Sequence, residues 1–207
     1  MFWTEINKID QLLTLEINSW NSFITDSMWQ FFSDKLIWAP MYAAIIALLI
    51  WKLGWKRGLI ILAAALLTFG FCDQFSNLIK HAVGRIRPLN DEFMICQGLH
   101  VLEHGGGYSF FSAHAANSFG LAFSTFVGLK RCLMKNASKD TDLATMPQWL
   151  KAYGYWMFFW AFMVAISRIF VGKHYLGDVI VGILVGSLAG YCFACLCSHI
   201  ATRLIKR

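Results

Sequence analysis

Five long apolar stretches, at residues 36–53, 58–80, 111–129, 152–171 and 175–200, govern what this chain can fold into. Each is close to the roughly 20 helical residues that cross a hydrocarbon layer about 30 Å thick. In lipid the backbone must satisfy its own polar groups, so such runs are read as helices. Composition agrees: 57% of the 207 residues are hydrophobic and 14% charged, against roughly 25% charged in a soluble domain. The expected architecture is an all-α integral membrane helical bundle, one membrane-embedded domain over residues 1–207 with five transmembrane helices. The N-terminus lacks the basic region, short apolar core and small-residue site of a cleavable signal.

Residues 1–34 are too charged to span, holding Glu5, Asp10, Glu16, Asp26 and Asp34. Ile6, Ile9, Leu13, Ile17, Trp20, Ile24 and Met28 nevertheless recur at steps of three and four, the stripe of an amphipathic helix. With Trp3, Trp20 and Trp29 as anchors, the segment is expected to lie in the membrane interface. A break capped by Asp is expected near Thr25-Asp26-Ser27; a soluble helix packed on the bundle is the alternative. Of the cysteines at 72, 96, 132, 192, 195 and 197, five lie in or beside apolar runs and read as small hydrophobes. The Cys192, Cys195, Cys197 group has only His199 beside it and reads as packing rather than a zinc site. Gly182, Gly186 and Gly190, four apart, let another helix approach closely.

The remaining polar residues are unevenly placed. Asp73, Asn77, Lys80, Gly84 and Arg87 follow at steps of four, three, four and three. They form one stripe if the helix continues to Pro88, and it should face the bundle interior or a wet cavity. Residues 89–108 read as a surface loop carrying His100, His104 and a flexible Gly105-Gly106-Gly107. The next span opens with Phe111-Ser112-Ala113-His114, where Ser112 suits an N-cap and the unpaired amides of a helix start suit an anion. Between the last two spans, Ser167 to Asp178 groups Arg168, His174 and Asp178. Four residues apart on a helix, His174 and Asp178 would share a face, so the carboxylate can orient the imidazole; a helix-end ion pair is the plainer alternative.

With five spans, all three motifs fall on one face. The other face holds Lys52, Lys56, Arg57, Lys130, Arg131, Lys135, Lys139, Lys151, Arg203, Lys206 and Arg207, eleven of the eighteen basic residues. Basic loops stay in the cytoplasm, so the motifs are expected on the non-cytoplasmic side of a bacterial inner membrane. Orientation thus accounts for the net charge of +6 better than a nucleic-acid partner does. Three cations, helix-start amides and two histidines suit a phosphoryl group, with one His to attack phosphorus and another to protonate the leaving oxygen. No carboxylate cluster suited to Mg²⁺ lies on that face, so no metal and no cofactor is expected.

These residues resemble the three separated motifs of the type 2 phosphatidic acid phosphatase superfamily. Lys80, six residues, Arg87 and Pro88 match the first; Ser112 and His114 the second; Ser167-Arg168, five residues, His174, three residues and Asp178 the third. The resemblance spans roughly residues 73–180 and implies a membrane lipid phosphatase. By it, His174 is the nucleophile of a phosphohistidine, Asp178 orients it, and His114 is the general acid. It likewise implies that Lys80, Arg87, Ser112, Arg168 and the Ala113 N–H hold the phosphate. The family usually has Pro-Ser-Gly-His where this chain has Phe111-Ser112-Ala113-His114; an alanine fits there if its φ stays negative. The implied substrate is a membrane lipid phosphate or diphosphate: undecaprenyl diphosphate, phosphatidylglycerophosphate, phosphatidate or a lipid A phosphate. A lipid phosphotransferase using the same phosphohistidine is one alternative, and a transporter with Asp73 and Asn77 on its pathway another.

Overall fold

A computed structural model describes residues 2–134 and 146–204. It is all-helical among those residues: α1 (Phe2–Asn18), α2 (Phe23–Ser33), α3 (Ala39–Val83), the short α4 (Glu92–Cys96), α5 (Ala113–Leu133), α6 (Gln148–Phe170) and α7 (Leu176–Leu204). α3 is not one rod. At Gly54, φ 75° and ψ 160° leave the helical region in a conformation that side-chain-bearing residues avoid. A Cβ placed on Gly58 would lie 3.0 Å from the backbone of Leu49 and Ile50, residues that a straight helix would hold about 12 Å away. The chain therefore doubles back at Gly54, in the gap between the spans expected at 36–53 and 58–80.

α5 sits at the centre. A Cβ on Gly182, Gly186 or Gly190 of α7 would meet the carbonyl oxygen of Ser112, Ala116 or Gly120 at 2.5, 2.0 and 2.5 Å. The offset is the same at all three, so α5 and α7 run parallel with backbones in contact, the use expected of small residues. Gly120 lies against Thr68 and Cys72, and Gly128 against Ile61, which makes the second limb of α3 antiparallel to α5. α6 is antiparallel too, with Gly154 on Phe126 and the Ser118 hydroxyl 3.3 Å from the Ala161 carbonyl. The chain thus runs along the bundle five times. Among the described residues, three helices, those beginning at Ala39, Gln148 and Leu176, are long and apolar enough to cross a membrane. α5 is 21 residues long but buries Ser118, Ser124, Thr125 and two glycines, as a helix enclosed by protein can.

Two boundaries differ from expectation. The second limb of α3 stops at Gly84, not Pro88, because Gly84 adopts φ 63° and its N–H caps the Lys80 carbonyl. Arg87 is extended (φ −74°, ψ 152°) before a 3-10 turn at Pro88–Asn90, and Asp73 and Asn77 are exposed rather than turned inward. The N-terminal break falls at residues 19–22, where Ser22 and Thr25 form a capping box; Asp26 is inside α2.

α1 also has an unexpected orientation. Its apolar side, with Ile6, Ile9, Leu12 and Leu13, is exposed, while Thr14 and Asn18 are fully buried. Asn18 donates to the Ile169 and Phe170 carbonyls at 3.0 and 3.2 Å. Thr14 and Asp10 accept from the N–H groups of Leu176 and Gly177 at 2.9 and 2.7 Å. α1 therefore caps the end of α6 and the start of α7, satisfying groups a helix cannot satisfy itself. The apolar core lies toward the opposite end of the bundle, around Leu49, Ile61, Leu129, Leu150 and Met157.

Candidate active site

Both helix ends at the α6–α7 corner are shaped by Gly172, whose φ of 79° turns the chain. The N–H groups of Lys173 and His174 both return to the Arg168 carbonyl at 3.1 Å, so His174 is held over the last turn of α6. Its imidazole is buried, with Nδ1 3.4 Å from Asp178 Oδ2 and 3.5 Å from the Ser109 hydroxyl. Among the described residues Nε2 has no protein partner. Burial pushes the imidazole down to about 4, outweighing Asp178, so the ring is neutral at pH 7.

Asp178, on the first turn of α7, is fully buried. One oxygen accepts from Arg85 Nη1 at 2.8 Å; the other accepts from the Tyr175 N–H at 3.1 Å and from the Ser109 hydroxyl. Its own carbonyl accepts from the Ser112 N–H at 3.0 Å, which joins the starts of α5 and α7. Ser112 is the N-cap of α5, its side chain accepting from the Ala115 N–H at 3.4 Å. Ala113 keeps a negative φ, and its N–H, at the head of the helix, has no intrahelical acceptor.

The cations converge on the same corner. Arg87, Arg168 and Asp178 all act electrostatically on His174, and Lys80 feels Arg87, Asp178 and Arg168. Burial weakens the charged form of Arg87 despite Asp178. The Nε atoms of Arg87 and Arg168 are buried without a partner, so both guanidinium groups keep free donors. Arg168 is also engaged on its far side, donating to Ser33, which donates to Glu103. Glu103 lies 3.8 Å from Arg168 and 2.6 Å from Lys173. Burial raises its carboxyl, but Lys173, Ser33 and Arg168 outweigh that and hold it below the ordinary range.

His114 is placed differently from His174. It feels Arg168, Lys35, His174 and Lys173, yet it also lines a cavity of about 490 Å³ that runs between α3, α5 and α6. The rest of that wall is mainly apolar, with Tyr42, Leu66, Phe69 and Trp160. A second, open recess of about 520 Å³ shares Ser33, Asp34, Lys35 and Leu36 with the cavity and adds Gln30 and Glu103. His114 is therefore on the wall of the apolar cavity and within the field of the cationic corner, and the polar recess adjoins the same cavity at residues 33–36.

Residues 55–206 match the model of the PAP2 superfamily. The chain belongs to the PAP2 superfamily. It is 34% identical over 202 residues to a lipid A 4'-phosphatase of Bacteroides thetaiotaomicron, covering 96% of this chain and 81% of that protein. A lipid A 4'-phosphatase of Porphyromonas gingivalis is 29% identical over 188 residues, covering 90% and 72%. The fold is similar to the crystal structure of a PAP2 type phosphatidylglycerolphosphate phosphatase from Bacillus subtilis, with TM-score 0.68, 19% identity and 98% and 89% of the chains covered. It is also similar to Aquifex aeolicus LpxE, with TM-score 0.58, 18% identity and 87% and 92% covered. As a PAP2 protein the chain is an enzyme, a membrane lipid phosphatase.

All eight residues singled out from the PAP2 motifs lie at this corner. Sequence reasoning missed Arg85, Ser109, Ser33, Glu103, Lys173 and Lys35. Arg85 lies inside the six-residue spacer of the first motif, where its charge is the one available signal. Lys173 likewise lies inside the five-residue spacer of the third motif; the others come from loops and from α2, and nothing local marks them. His100 and His104 are exposed as expected, with His100 Nε2 3.1 Å from Asp26. Cys192 is exposed and Cys197 buried on α7, so these thiols point apart.

Proposed function

We propose that the chain removes a phosphate monoester from a saccharolipid of the lipid A class, without a metal ion, through a phosphohistidine on His174. The observation that carries this reading is the position of His114, between the cationic corner and the apolar cavity. A leaving alcohol attached to acyl chains in that cavity has His114 beside its oxygen. The Bacteroides thetaiotaomicron and Porphyromonas gingivalis relatives are lipid A 4'-phosphatases, and the recess with Gln30, Asp34, Lys35 and Glu103 offers amide, carboxylate and ammonium partners for sugar hydroxyls.

In the first step His174 Nε2 attacks phosphorus. The P–O ester bond breaks with its electron pair on the sugar oxygen, and His114 gives that oxygen a proton. In the second, His114 takes a proton from water, the water oxygen bonds to phosphorus, and the P–N bond breaks to restore His174 and release inorganic phosphate. Asp178 orients the ring through Nδ1. Lys80, Arg87, Arg168, Ser112 and the Ala113 N–H hold the phosphoryl oxygens and meet the transition-state charge that a metal meets elsewhere.

The five runs along the bundle are read as five membrane crossings of one domain, with α1 in the interface and its exposed apolar side toward lipid. The basic residues of the opposite end then face the cytoplasm and the site faces the periplasm. Lys135, Lys139, Lys206 and Arg207, which belong to that count, lie outside the described residues. The test is phosphate release by the purified chain, in EDTA and with no acceptor lipid, from lipid A, phosphatidate, phosphatidylglycerophosphate and undecaprenyl diphosphate. Lipid A is expected to be the best substrate, and His114→Ala and His174→Ala to be inactive. No release without an acceptor lipid, with transfer once one is added, would make the enzyme a phosphotransferase, and inhibition by EDTA would refute the metal-free reading.

A further inference from the structure

The carboxylate behind His174 is held by more than the histidine it faces. Arg85 sits in the extended link after α3, and its N–H groups reach in two directions. Nη1 donates to Asp178 at 2.8 Å, while Nη2 lies 2.8 Å from Asp10 and donates to Asn7 at 2.8 Å, both on α1. The guanidinium also stacks on the Tyr175 ring at 3.7 Å, and the Arg85 carbonyl accepts from the Ser109 N–H at 2.8 Å. Ser109 in turn donates its hydroxyl to Asp178. The planar fork of an arginine is suited to bridging two carboxylates in one fixed geometry, as a lysine is not.

We propose that Arg85, anchored from behind by Asp10 of α1, is a positioning residue that fixes the Asp178 carboxylate and through it the tautomer and aim of His174. This rests on the reading of His174 as nucleophile. With one oxygen on Arg85 and the other on the Tyr175 N–H, the carboxylate cannot rotate away from Nδ1. A carboxylate tied to the histidine alone could. The arrangement makes α1 part of the catalytic apparatus, through a side of the helix that carries no apolar stripe.

Charge gives this role a signature that a mere staple between α1 and α7 lacks. The groups facing His174 are Asp178 of α7, Arg168 of α6, Arg87 after α3 and Ser109 of the loop, with His114 of α5 beyond. Those facing Asp178 are His174, Arg85 and Ser109, with Arg87 and Lys80 at longer range and Asp10 behind Arg85. Removing the Arg85 cation leaves the negative charge of Asp178 less neutralised. The imidazolium of His174 is then favoured, and the acid limb of turnover moves to higher pH.

The experiment compares wild type, Arg85→Gln, Arg85→Lys, Asp10→Asn, the Arg85→Gln/Asp10→Asn double variant and His174→Ala. Each is the full chain in detergent, assayed for phosphate release from dispersed lipid A across pH, per folded enzyme. Arg85→Gln is expected to lower kcat about 100-fold, with KM within about threefold and the acid limb raised. Arg85→Lys should fall between it and wild type, and Asp10→Asn should lose less. The double variant should be no worse than Arg85→Gln, because both act through one contact. If Arg85→Gln keeps its kcat and acid limb while His174→Ala is inactive, the clamp is overturned and the nucleophile stands. Less folded protein with unchanged kcat and limb makes Arg85 a staple and overturns the clamp equally. If Arg85→Gln does not fold, Arg85→Lys decides by its kcat per folded enzyme: a fall with KM unchanged supports the clamp and a wild-type kcat overturns it. Turnover by His174→Ala would remove the reading beneath the proposal.

Discussion

The two ends of the bundle are built from opposite materials. Toward the turn at Gly54 the interior is Leu49, Ile61, Leu129, Leu150 and Met157, joined by contacts with no preferred direction. At the α6–α7 corner the buried groups are His174, Asp178, Arg168, Ser109 and Ser112, each placed by a directed hydrogen bond or ion pair. The apolar end gives stability that tolerates small shifts. The polar end gives geometry, since each buried polar group is costly unless its partners are in place. α5 and α7 traverse both, which ties the site to the packing behind it.

Substitutions should separate the two ends. The largest effect is expected from His174→Ala: phosphate release should fall by at least about a thousandfold while the protein still inserts. Measured turnover near wild type would take the nucleophile elsewhere. Leu129→Ala, in the apolar end, should cost about 2–5 kcal/mol of stability and leave kcat per folded enzyme unchanged; thermal unfolding in detergent together with an activity assay checks both halves of that statement. Gly186→Ala lies between the ends. Its Cβ would fall 2.0 Å from the Ala116 oxygen, so α5 and α7 must part, costing about 1–3 kcal/mol and lowering kcat as well. Stability lost with kcat intact would show that the site does not depend on that spacing. The smallest effect is a pH dependence. With His174 at about 4, its neutral form persists as pH falls through the ordinary histidine value of about 6.5, so kcat/KM, which reports the free enzyme, should not show that group titrating there as histidine in water does.

Much of the architecture was legible because apolar runs and their interruptions report on lipid directly. The motif residues were legible because charge at the edge of such runs is expensive, and Lys80, Arg87, Arg168, His174 and Asp178 stood out against it. The reversal at Gly54 is sharper than the gap between the apolar runs 36–53 and 58–80 shows, since a glycine's positive φ leaves no pattern in its neighbours. The stripe continuing to Arg87 failed at Gly84 for the same reason. α1 misled more deeply: its period marked one apolar side, but nothing local said that the polar side, with Asp10, Thr14 and Asn18, would supply the caps of α6 and α7. Ser109 and Glu103 left no signal, and Arg85 only its charge, because their partners are far away in the chain and a pairing of that kind has no local period.

The central claim is that one imidazole, on residue 174, carries the phosphoryl group between lipid and water. Rapid mixing of the enzyme with phosphorus-labelled lipid A, an alkaline denaturing quench that preserves phosphohistidine, and peptide mapping tests it most directly. The account predicts label on the peptide containing His174, formed before inorganic phosphate is released and absent from His174→Ala. Phosphate released from a protein that never carries label, or label on a different side chain, would contradict it.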